Sequence, residues 1–274
     1  MDLKLYCIRP HEDHPHTHTV VFLHGRGSTA TTFNDDLLDS QNSQGRHLQD
    51  IFPSVRWVFA QADEQYSESL SRDTRQWFEI FNPGDLHARP ELQVPGLQHS
   101  AAKLIQLIRN EAATVGGMRR VVLAGHCSGF TAAVHALLNL PDADHDRRLR
   151  PENRLGGLVG LSSWMALPAP SIAECRDRLG MQPTAHGTDT ATANDDEFYH
   201  NTPVLLCHSA NDDLVPVEEG RKLRDALRAF GMHVSYQEYK RGGHWVLHGL
   251  SEVDDIVEFL KAQGLPEYPP ATVD

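Results

Sequence analysis

The 274-residue sequence is poor in cysteine, in positive charge and in long apolar runs, and each shortage excludes a class of protein. Its four cysteines (Cys7, Cys127, Cys175 and Cys207) are scattered without C-x-x-C spacing. Neither a disulfide scaffold nor a cysteine-rich metal framework is therefore expected. Cys7 and Cys207 lie in strand-like apolar runs and read as reduced, buried thiols. Lysine and arginine number 25 against 37 acidic residues, a net charge of −12. Such a chain repels phosphate backbones and anionic headgroups, so no nucleic acid and no electrostatic membrane docking are expected. No apolar run approaches the roughly 20 residues of a membrane span, and the opening MDLKLYCIRPHED lacks the apolar segment of a signal peptide. A cytoplasmic chain without integral membrane association is the expectation.

What is present is an alternation of strands and helices. Apolar strand patterns occur in "TVVFLHGRGS" (19–28), "VRWVFAQA" (55–62), "LGGLVGLSSWMAL" (155–167), "TPVLLCHSA" (202–210) and "HVSYQEY" (233–239). Helical spacing marks 97–117, the segment ending at Pro141, 217–231 and 250–264. That order predicts a mainly parallel sheet covered by helices on both faces. The length suits one domain, with a core at about 18–262, a short lead-in and a proline-containing tail. The polar stretches 142–154 and 186–198 read as surface loops. The proline-rich 81–97 reads as an ordered, irregular wall.

The chemistry centres on "LAGHCSGF" (123–130), a G-x-C-x-G frame after a strand and before a helix. This is the context of a nucleophile elbow, with Cys127 in place of the commoner serine. In α/β-hydrolases the nucleophile is followed by an Asp or Glu and then a His, each just beyond a strand. Asp212 in "HSANDDLVP" and His244 in "YKRGGHW" keep that order. Cys127 would be the nucleophile, favoured as thiolate by the helix N-terminus. His244 would act as general base and acid, and Asp212 as the orienting carboxylate. The amides of Ser128 and Arg26 would form the oxyanion hole. Ser128 as nucleophile would fall off the elbow, and the neighbouring Asp213 is the rival carboxylate.

The phrases "VVFLHGRGST", "RQWFEI", "GHCSG", "LSSWMAL", "LLCHSANDDLVP" and "GGHW" resemble, in order and spacing, the acyl-protein thioesterase/carboxylesterase family, also called phospholipase/carboxylesterase. The resemblance runs from about 18 to 262. It implies an α/β-hydrolase fold without a separate cap domain and hydrolysis of acyl esters and thioesters on a small-molecule or acylated substrate, and the motifs imply no cofactor. The family has serine where Cys127 stands; a cysteine there resembles the dienelactone hydrolases. Three other readings stay open on these residues. Cys127 replaces a native serine; or the triad serves a tailoring enzyme of secondary metabolism (lactone opening, acyl transfer or cyclisation); or the chain binds a ligand without turnover.

Other residues carry weaker signals. Trp77 of "RQWFEI", Trp164 of "LSSWMAL" and His126 beside the nucleophile are candidates for contact with substrate, and His24 is expected to brace its turn. His14, His16 and His18 alternate in "HEDHPHTHT", but with no further ligand at metal spacing they read as a surface segment rather than a metal site.

Overall fold

A computed structural model describes residues 2–140, 154–181, 195–245, 247 and 249–269. In chain order the elements are β1 (Lys4–Ile8), β2 (His18–Leu23), α1 (Ala30–Leu38), the single turn α2 (Leu48–Ile51), β3 (Val55–Gln61), the hairpin strands β4 (Glu64–Ser67) and β5 (Arg72–Arg75), and α3 (Pro90–Val115). There follow β6 (Val121–His126), α4 (Ser128–Leu138), β7 (Gly157–Leu161), α5 (Ile172–Leu179), α6 (Asp195–Asn201), β8 (Val204–Ser209), α7 (Val217–Ala229), β9 (Val234–Tyr239) and α8 (Leu250–Ala262).

Seven strands form one sheet in the order β1-β3-β2-β6-β7-β8-β9. Every pairing is parallel except the edge strand β1, which runs antiparallel to β3. The central strands are apolar on both faces, as a doubly covered parallel sheet requires. Along β2, Val21 and Leu23 join the residues of α3, α4 and α7 in one core layer, while Val20 and Phe22 join α1 and α8 in the other. Phe22 stacks on Phe59 (5.7 Å) and meets Phe33 of α1 (5.7 Å). Such aromatic pairs add about 0.5–1.5 kcal/mol each beyond the area they bury. Among the described residues no helix is long and apolar enough to cross a membrane. All four cysteines are free thiols.

Three expectations change in detail. Helix α3 starts at Pro90, ahead of the expected Leu97, because Pro90 occupies its first position and Gln93 Nε2 ties the new first turn to the Leu86 carbonyl at 2.8 Å. The wall at 81–97 is thus partly helical. Of the expected loop 186–198, residues 186–194 lie outside the described residues, while 195–198 belong to α6. Burial of the adjoining Tyr199 and packing of Phe198 on the core hold that helix in place. The charged stretch 142–154 lies outside the described residues except for Arg154, which donates to the carbonyls of Leu155 and Gly156.

A close approach of backbone to backbone lies where α4 meets the end of β2. A Cβ on Gly129 would stand 2.5 Å from the carbonyl oxygens of both Leu23 and His24, and one on Gly125 would stand 2.6 Å from the Phe130 nitrogen. Only glycine allows the strand–turn–helix to close so tightly. Gly129→Ala is expected to lower stability by about 1–3 kcal/mol through overpacking against backbone. Urea unfolding of the variant beside wild type checks this; equal midpoints would contradict it.

Candidate active site

The tight turn between β6 and α4 carries Cys127 at φ 55° and ψ −131°. A non-glycine residue in such a conformation costs about 1–3 kcal/mol and persists only where neighbours hold it. Here the Cys127 amide donates to the Leu161 carbonyl (2.9 Å), and the Ser163 hydroxyl donates to the Cys127 carbonyl (2.8 Å). Thr131 Oγ1 lies 3.1 Å from Ser163 Oγ and donates to the Trp164 carbonyl at 3.0 Å. The thiol therefore stands on a braced backbone at the N-terminus of α4.

Two loops beyond strand ends bring Asp212 and His244 together. His244 Nδ1 donates to the Asp212 carboxylate at 2.9 and 3.1 Å. Asp212 is buried and also accepts from the amides of Leu214 and Val215, both at 2.9 Å. Buried His208 donates through Nε2 to the Val215 carbonyl (2.8 Å) and lies 3.4 Å from Asp212 Oδ2. Burial opposes ionisation of Asp212, but the hydrogen bonds from His208, His244 and the Val215 amide outweigh it and hold the carboxyl well below its usual range. Burial likewise disfavours charge on His244, yet the bonds to Asp212 and Cys127 push it up to about 10. Asp213, by contrast, is exposed.

His126 fills the space behind this pair. Its Nε2 donates to the His244 carbonyl at 2.9 Å, and the two rings are 4.5 Å apart. Burial, and then the neighbouring His244 charge, lower its pKa to about 3, so it stays neutral. Its ring also packs edge-on against Trp245 at 5.2 Å. His24 braces its turn from within, with Nδ1 donating to the Gly25 carbonyl (2.7 Å) and Nε2 accepting from the Ala62 amide (3.1 Å).

Cys127, His126 and His244 open onto a cavity of about 550 Å³ whose wall includes Arg26, Phe33, Leu86 and Trp164. Among the described residues, neither the Arg26 nor the Ser128 backbone N–H has an acceptor in the protein. Trp164 is buried at the cavity wall, edge-on to Phe78 at 6.0 Å. Trp77 departs from its expected place. It lies wholly inside, its Nε1 donating to the His24 carbonyl at 2.8 Å, and it does not reach the cavity. A buried indole N–H is stabilised by an acceptor, and at Trp77 a main-chain carbonyl provides it.

Several cavity residues escaped sequence reasoning: Phe33 and Asp36 of α1, Leu214 and Trp245, while Pro83 comes from the expected wall at 81–97. Helix α1 had a readable signal, since Thr29 caps it (Thr32 amide to Oγ1, 3.1 Å) and Phe33 and Leu37 share one face. At the opposite end of β2, His16 Nε2 bonds Thr19 (3.0 Å) and His14 packs on Tyr268 (4.2 Å). Among the described residues no group of three or more His, Cys, Asp or Glu side chains is placed to hold a metal ion.

The sequence model of the phospholipase/carboxylesterase family matches residues 8–182, well over half of the chain. The chain belongs to that family. It is accordingly an enzyme of the hydrolase class with the α/β-hydrolase fold. The model of the prolyl oligopeptidase family matches residues 177–264, the part that carries Asp212 and His244. Over 256 residues the chain is 27% identical to acyl-protein thioesterase 1 of Gibberella zeae, covering 92% of this chain and 93% of that protein. It is 23% identical to the protein of that name from Yarrowia lipolytica over 249 residues, with coverages of 90% and 92%. The crystal structure of Zea mays acyl-protein thioesterase 2 superposes with a TM-score of 0.69 at 22% identity, covering 95% of this chain and 98% of that one.

The folded protein holds the His244 proton more tightly than an unfolded chain, whose histidines titrate near 6.5. The His244–Asp212 pair thus contributes its full stability below about pH 6.5 and loses it as pH rises toward 10. Between pH 7 and 10, wild type is expected to lose more stability than His244→Gln. Urea midpoints across that range measure the difference, and a gap that stays constant with pH would refute it.

Proposed function

We propose that this family member hydrolyses an acyl thioester or similarly activated ester through an acyl-cysteine intermediate, with Cys127, His244 and Asp212 as the catalytic triad. The observation that carries the reading is the meeting, at one end of an apolar cavity, of a thiol on a strained elbow with a half-buried histidine backed by a buried aspartate. The named relatives are acyl-protein thioesterases, which favours an acylated substrate here as well.

The reaction starts with the thiol proton on His244, whose imidazolium Asp212 stabilises. Cys127 Sγ adds to the acyl carbonyl. The amides of Arg26 and Ser128 receive the developing oxyanion, an interaction whose loss typically costs about 3–4 kcal/mol. The tetrahedral intermediate collapses, the C–S bond to the leaving thiol breaks, and His244 supplies the proton that thiol needs. Neutral His244 then takes a proton from water as it attacks the acyl-cysteine, releasing the carboxylic acid and restoring the thiol. The acyl chain lies against Phe33, Leu86, Leu214 and their neighbours, side chains that favour an apolar group.

Cysteine as nucleophile sets a preference. From the intermediate of an alkyl ester, thiolate leaves more readily than alkoxide, so the adduct returns to substrate unless His244 protonates the oxygen in time. A thioester removes that handicap. Wild type is expected to turn over a thioester faster than its matched oxygen ester, and intact-protein mass spectrometry should catch a transient acyl mass on Cys127. Cys127→Ser is expected to narrow or reverse the preference. Activity confined to the serine variant would overturn the reading and mark the cysteine as a replacement; inactivity of both on a broad acyl panel would favour ligand binding without turnover.

A further inference from the structure

Arg26 stands between Gly25 and Gly27, so its own turn has little intrinsic stiffness. Rigidity reaches it from residues 75–80, which grip the turn at several points, and from serines of the preceding hairpin. The Arg75 carbonyl accepts from the Gly27 amide (2.8 Å), and Trp77 Nε1 donates to the His24 carbonyl (2.8 Å). The Arg26 guanidinium is held at every nitrogen. Nε donates to Gln76 Oε1 (3.0 Å), Nη1 to the Ile80 carbonyl (3.2 Å), and Nη2 to Glu79 Oε1 (3.0 Å) and Ser69 Oγ (2.7 Å). Glu79 is the hub. Its Oε1 also accepts from Ser67 (3.2 Å), and its Oε2 accepts from the Glu68 amide and Gln76 Nε2, both at 3.1 Å. Both side chains of the ion pair are only 11% exposed. The charge of each is therefore poorly solvated and depends on its partner.

We infer that Glu79 is a positioning residue for the oxyanion hole, anchoring the Arg26 side chain so that the backbone N–H of the same residue keeps its aim at the cavity beside Cys127. The inference rests on the proposed thioesterase chemistry, in which that N–H meets the developing oxyanion. A guanidinium fixed at all three nitrogens pins the Arg26 Cα from one side, while Arg75 and Trp77 pin the residues flanking it. Glu79→Gln keeps the shape but removes the charge opposite Arg26, and it turns one carboxylate oxygen into a donor facing other donors. The turn then gains freedom between its two glycines, and the amide spends less time in line.

The test compares two reactions at the same sulfur in wild type and Glu79→Gln. Acylation by a short-chain acyl thioester needs the oxyanion hole; alkylation by iodoacetamide passes through no oxyanion. Both are followed at the Cys127 peptide by mass spectrometry. The expected result is acylation slowed by up to about 10²-fold, the scale of losing one oxyanion donor, with alkylation at the wild-type rate. Gln76→Leu, which removes only the acceptor on Arg26 Nε, is read alongside and is expected to show a smaller loss of the same kind. It keeps the test decisive if Glu79→Gln folds poorly. A merely structural role would lower the melting temperature without changing the ratio of the two rates, and an unchanged ratio in both variants overturns the inference. A fall in both reactions together also overturns it, since the change would then act on Cys127 itself. Wild type that alkylates but never acylates defeats the proposed function, and this inference with it.

Discussion

The active end of the protein depends on the approach of α4 to the end of β2, where no atom beyond glycine's hydrogen fits at position 129. Because the helix start lies against the Leu23 and His24 carbonyls, the turn at 24–28 and Cys127 line the same cavity. A side chain at 129 would pry these elements apart and move the thiol away from the turn at 24–28.

Around that contact the protein gives three histidines three different tasks. His244 carries charge because a buried carboxylate and the nearby thiol group favour it. His126, 4.5 Å away, stays neutral because burial and the first charge both oppose a second. His208 steadies Asp212 from behind while giving its main hydrogen bond to the Val215 carbonyl. A buried aspartate alone would raise its pKa and lose its charge; two histidines and two amides keep it ionised where solvent cannot. The turn at 24–28 uses the same device, a largely covered Arg26–Glu79 pair whose remaining valences are met by serines, a glutamine and main chain.

Much of this was legible in the residues. The alternation of strands and helices predicted a mainly parallel sheet with both faces covered, and that is the fold. Cys127, Asp212 and His244 were readable because each follows a strand end, and a parallel sheet collects such ends on one edge. The choice of Asp212 over Asp213 followed a motif, and its physical basis appears only in the fold, where one carboxylate is buried against His244 and the other faces water. The substrate-wall reading of Trp77 failed because a tryptophan in a short motif looks the same whether it lines a cavity or closes a core. The segment "RQWFEI" shows the same limit: its residues are recognisable, but their grip on a turn some fifty positions earlier is a long-range contact that no local pattern encodes.

The sequence by itself determined the alternation of strands and helices, the order in which Cys127, Asp212 and His244 follow strand ends, the glycines of the elbow and the excess of acidic charge, because these follow from local spacing and composition. Tertiary structure alone decided which side chains line the cavity, which histidine holds its proton more tightly, and what grips the Arg26 guanidinium. Those outcomes depend on burial and on distances between segments remote in sequence, and both arise only when the sheet closes against its helices.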